Sequence, residues 1–185
     1  MKRWLSLFMA LTLLFLCGVG NAAEKAPAPL TEDGASMTMN GRQHHLIVET
    51  THQTDNILIF TFSFSNRQRE VALKLPVTVK AGDVVNEQWC RRFQRDDCEL
   101  SYRVSENVSY YAANLSIFEY DAFPEGSSFR ITVDSISPDG RTYSGRFAGT
   151  VVDNANQKTR VLEDGQFQIT LSDITLMNMQ NWKAK

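Results

Sequence analysis

The sequence predicts an all-β domain, an antiparallel β-sandwich of about 8–10 short strands, with a β-barrel as the alternative closure. Three observations point there. From Ser36 onward, apolar and polar side chains alternate with a period of two. Asn-Gly, Pro-Asp-Gly and Asp-Gly signals punctuate the runs. Past residue 23, no stretch of ten or more residues shows a convincing amphipathic helical stripe.

Residues 1–23 have the order of a secretory signal peptide. Lys2 and Arg3 supply the positive start, Trp4 to Leu16 is apolar except for Ser6 and Thr12, and small residues run from Gly18 to Ala23. The apolar run is shorter than the roughly 20 residues needed to span a bilayer, which argues against an uncleaved anchor. A lipidated Cys17 is the other alternative, but Leu16 is large where a lipoprotein signal needs a small residue. Cleavage near residues 22 and 23 predicts a protein of the periplasm or the secreted medium, in a Gram-negative envelope, with no membrane insertion afterwards.

Losing Lys2 and Arg3 leaves 17 of the 19 cations against 21 acids, a net charge of −4. Such a balance gives no general pull toward nucleic acid. Apolar residues make up 43% of the chain and charged residues 22%, which is ordinary globular composition. Residues 24–35, rich in Ala, Pro and acids, read as a flexible leader, and 36–185 as a single domain. About 160 residues bury roughly two-thirds of their unfolded surface, so the domain has a core of its own.

The strands follow in order. Met37 and Met39 lead into Asn40-Gly41, a type I′ hairpin signal, and Leu46-Ile47-Val48 returns. Ile57 to Ser65 puts Leu58, Phe60, Phe62 and Phe64 on one face, an aromatic core wall, in a strand central to its sheet. Val71, Leu73 and Leu75 alternate up to Pro76, which cannot donate to a ladder and marks an edge or a bend. Val84 to Cys90 and Cys98 to Ser105 read as two strands joined by a loop over 91–97. Tyr110 to Tyr120 reads as a further extended segment, then Phe129, Ile131 and Val133. Tyr143 to Val151 carries Gly145 and Gly149 beside Phe147, glycines that admit bulky neighbours or a bulge; Phe167, Ile169 and Leu171 form the last strand.

The stretch Gly145 to Leu171, GRFAGTVVDNANQKTRVLEDGQFQITL, resembles the closing hairpin of several uncharacterised exported bacterial β-sandwich families. The shared pattern is a G-x-F-x-G strand, a polar loop and a (D/N)-G-x-F strand. It implies fold alone, and no catalytic residue carries over.

Cys90 and Cys98, two cysteines in an oxidising destination, are expected to form one disulfide that ties off the 91–97 loop. Seven intervening residues do not match the C-x-x-C spacing of redox pairs. His44, His45 and His52 are close in sequence, but neighbours on a strand point to opposite faces, so no metal site is expected. No G-x-S-x-G, phosphate-cradling loop or EF-hand spacing occurs. No cofactor is implied.

The tied loop is the best binding candidate. Trp89, Arg91, Arg92, Phe93 and Arg95 combine arginine and aromatic side chains, which dominate interface hot spots, on a segment with little entropy to lose. Tyr102, Tyr110, Tyr111 and Tyr120 are either a sugar-stacking face or core residues with hydroxyls at the rim. The resulting expectation is a non-catalytic binding or accessory domain of the envelope, engaging a protein or glycan. A periplasmic inhibitor or immunity protein is the alternative, and a hydrolase the third reading.

Overall fold

A computed structural model of the chain describes residues 30–54, 56–92, 98–105, 108–113, 124–153 and 155–183. The signal segment 1–23, most of the leader, loop residues 93–97 and the stretch 114–120 of the expected tyrosine strand lie outside the described residues. Ten strands and two helices follow in the order β1 (Gly34–Met39), β2 (Arg42–Thr54), β3 (Ile57–Phe64), β4 (Glu70–Pro76), β5 (Val84–Asn86), α1 (Glu87–Arg92), β6 (Glu99–Ser105), β7 (Val108–Ala113), β8 (Ser128–Ile136), β9 (Thr142–Asp153), β10 (Lys158–Thr170) and α2 (Asp173–Lys183). The first strand begins at Gly34, ahead of the expected boundary at Ser36, and Ala35 is already buried.

The all-β expectation holds, and the sheet takes the barrel form. Neighbours run β10-β1-β2-β3-β4-β6-β7-β9, all antiparallel, and β9 pairs back with β10 to close an eight-stranded barrel. Two stacked sheets would leave β1 and β10 at edges; instead β1 is hydrogen-bonded to β10 along its length. Closing so small a ring requires strands that bend sharply. Ladder shifts between Ser36 and Thr38, Val48 and Thr50, Arg103 and Ser105, and Leu162 and Gly165 supply local bends.

One edge of β9 is shared. β8 pairs with Tyr143 to Thr150, and β7 meets β9 only at Val152. The wall forks there, and β5 pairs with β8 on the branch. Cys90 and Cys98 form the expected disulfide, and both are completely buried within the core cluster.

The interior is filled by side chains from alternating positions. Leu58, Phe60, Phe62, Leu73, Leu75 and Phe167 are buried, and the rings of Phe60 and Phe62 stand 6.0 and 6.5 Å from that of Phe167. Gly145 and Gly149 behave as the pattern implied. A Cβ at Gly145 would meet the Phe167 ring at 2.8 Å, and one at Gly149 would meet Leu100 Cδ2 at 2.7 Å. Pro76 ends β4, where β3 alone pairs with it.

Two expectations are corrected. The segment expected as a strand from Val84 to Cys90 is a strand only to Asn86, after which α1 begins. The Asn86 side chain accepts from the Trp89 N–H at 2.9 Å, an N-cap that turns the chain into a helix. The second correction is α2, an 11-residue helix where no helix of ten residues was expected. Ser172 caps it, accepting from the Thr175 N–H at 3.2 Å. Its buried face is Thr175 and Met179 with half-buried Leu176 and Trp182, while Ile174 and Met177 are exposed. Apolar residues on both sides of the helix blur the stripe that would have announced it. The helix covers one end of the barrel: Thr175 Oγ1 donates to the Thr51 carbonyl at 2.9 Å, and Tyr143 donates to Met179 Sδ at 3.6 Å.

Candidate functional site

With the interior packed, the described residues placed to meet a partner lie on the outer wall and at the barrel end away from α2. The outward residues of β3, β4, β6 and β7 line a shallow groove of about 230 Å³. Strand register sets its rows. Thr61, Ala72, Ser101 and Tyr111 are successive cross-strand partners and form the middle. Small side chains at Ala72 and Ser101 leave the hollow. To one side Glu70 faces Arg103, which faces Ser109; to the other Lys74 faces Glu99.

The groove walls are two ion pairs. Lys74 Nζ lies 2.6 Å from Glu99 Oε2, and Arg103 is bonded to Glu70. The Glu99 side chain is only 11% exposed, so its charge relies on Lys74 more than a surface carboxylate would. The row continues onto β2, where Ser63 Oγ donates to Glu49 at 2.7 Å. The surface is thus charge-balanced but dense in fixed donors and acceptors, with hydroxyls from Thr61, Ser101 and Ser109 and the half-buried Tyr111 ring at one margin.

Of the site residues expected from sequence, Trp89 is half-buried and packs against the core from α1. Arg91 is exposed and bonds Glu87 one turn earlier, Nε at 3.0 Å and Nη2 at 2.8 Å. Arg92 ends α1; its side chain, Phe93 and Arg95 lie outside the described residues. The tyrosines divide. Tyr102 and Tyr110 point into the barrel, 2% and 4% exposed, Tyr111 faces the groove, and Tyr120 lies outside the described residues. His44 points inward with its ring 5.2 Å from Phe64, while neighbouring His45 is exposed, the opposed orientation expected of strand neighbours.

Sequence reasoning missed the groove because its residues are spread from Thr61 to Tyr111 and become neighbours only through register. The available signal was the outward parity of Glu70, Ala72 and Lys74 beside that of Glu99, Ser101 and Arg103, which needed the β4–β6 pairing to be read. No protein-family model matches the chain, and no curated protein or solved structure was found to be similar to it.

Proposed function

We propose that this protein is a non-catalytic binding domain of the bacterial envelope that engages a glycan along the outer groove of β3, β4, β6 and β7. The observation that carries this reading is the groove's composition. Two ion pairs, three hydroxyls and an aromatic margin are held on rigid strands, and such fixed donors and acceptors beside a ring suit a polyhydroxylated chain. The hollow is open and shallow, a shape for an extended ligand lying across strands rather than a small molecule enclosed on all sides. An exported location, periplasmic or secreted, is part of the proposal. It draws on the charged, apolar and small-residue order of residues 1–23, and the disulfide is compatible with an oxidising compartment.

The groove is preferred to the 90–98 segment because the two expected contact side chains that are described are already engaged, Trp89 by the core and Arg91 by Glu87. The test is titration calorimetry against oligosaccharides released from envelope polysaccharide and peptidoglycan. Binding that is lost in Ala72→Trp, which fills the hollow, and weakened in Tyr111→Ala supports the reading. Equal binding by the filled variant, or no binding by the wild type, overturns it.

A further inference from the structure

The antiparallel order brings the β1–β2, β3–β4, β6–β7 and β9–β10 turns to the barrel end away from α2, with residues 106 and 107 of the β6–β7 turn outside the described residues. The first, second and last of these turns and the strand ends beside them carry Arg42, Arg67, Arg69, Lys158 and Arg160 against two described carboxylates, Asp153 and Glu70, the latter held by Arg103. Asp153 is committed locally. The Asn156 side-chain amide at 2.7 Å and the Ala155 N–H at 2.9 Å hold it below the usual carboxylate range, with Lys158 adding to the effect. Arg42, Arg67 and Arg69 are exposed and Arg160 is half-exposed, and none of the four is ion-paired to a described carboxylate. A chain of net charge −2 therefore concentrates positive charge on one rim.

Inside the rim runs a line of rings. His44, Phe64, Tyr102 and Tyr110 follow at centroid separations of 5.2, 6.0 and 5.9 Å, and the Arg160 guanidinium lies 5.2 Å above Tyr110. These rings close the mouth to entry.

We propose that this mouth is a binding site for an anionic polysaccharide. Its carboxylate or sulfate groups pair with Arg42, Arg67, Arg69 and Arg160 above the floor of rings. Guanidinium groups match such anions bidentately. Because the arginines come from three separate turns, they fit a ligand with repeated charges better than a single small ion. A bilayer is the weaker fit: exposed Val108 and Val161 reach this end on separate strands, and exposed Ile174 and Met177 lie on α2 at the other end. The site does not depend on the groove.

The test titrates the purified chain with polygalacturonate and dextran sulfate, with neutral dextran and phosphatidylglycerol vesicles as comparisons. Both polyanions are expected to bind at low salt, with affinity falling steeply as salt rises. The triple reversal Arg42→Glu, Arg67→Glu, Arg69→Glu should weaken them at least tenfold with an unchanged melting temperature. Single Arg67→Gln and Arg69→Gln, each expected to lose a few-fold, serve should the triple variant unfold. Equal binding of neutral dextran, binding of vesicles alone, or indifference to these substitutions overturns the proposal. Ala72→Trp separates the sites: it should leave polyanion affinity unchanged, and loss in that variant alone would move the charged ligand to the groove.

Discussion

The ring of Phe147 occupies the space that a side chain at Gly165 would need: a Cβ there would stand 2.6 Å from Phe147 Cδ2 and 2.7 Å from Cε2. The two residues are register partners across β9 and β10, and Gly145 with Phe167 repeats the arrangement nearby with the roles exchanged. Each phenylalanine lies flat over its partner glycine, which lets the hairpin curve tightly enough to enter the barrel. Gly165→Ala and Gly145→Ala should each cost about 2–3 kcal/mol, because backbone carbonyls as well as ring atoms crowd the new methyl. Urea denaturation is the measurement, and a loss below the usual surface range would refute the packing account.

The disulfide should matter more than its short loop suggests. Closing nine residues stabilises by about 2.5 kcal/mol on the chain-entropy model. Both cysteines are also fully buried in the core. Cys90→Ala with Cys98→Ala should lower stability by at least that amount. In native buffer, dithiothreitol should leave the bond intact until denaturant opens the core. Ready reduction of the folded protein would contradict its burial.

Burial raises the pKa of the Tyr143 phenol above its ordinary value near 10. The folded state then keeps a proton that the unfolded chain releases, so this contribution is complete below pH 10 and declines as pH climbs through 10 toward the folded value. Tyr143→Phe should flatten the alkaline limb of the stability curve. Near neutrality it should be somewhat less stable, having lost the bond to Met179. Parallel pH profiles for the two proteins would count against the assignment.

Two methionines of α2 offer a paired test. Met179 is 3% exposed and Met177 is 54% exposed. Met179→Ala should cost about 2–4 kcal/mol and Met177→Ala less than about 0.5 kcal/mol. Similar losses for both would mean that the helix does not seat as described.

Much of the wall was legible because β-strand parity is a local property. Leu58, Phe60, Phe62 and Phe64 lie inward as their spacing required, and Asn40-Gly41 makes its turn with positive φ at both residues. Closure was not legible, since the pairing of Ala35 with Phe167 joins residues far apart in sequence and period two is the same in a sandwich and a barrel. Helix α1 was obscured by the strand-like run Val84-Val85, although Asn86 followed by Glu87 is a cap signal that was there to be read. The cationic mouth escaped because net charge averages over the chain, while Arg42, Arg69 and Arg160 are gathered only by three turns meeting at one end.

The fastening of α2 has a practical side. Asp33 accepts from the Thr170 N–H and hydroxyl at 3.1 Å each, and Ser172 donates its N–H to Thr51 at 3.1 Å, so the chain enters and leaves the barrel at the helix-covered end. A bead, surface or fusion partner attached directly before Asp33 would hold the molecule by its base and point the arginine rim into solution. The same polarity gives any tethered form one outward face.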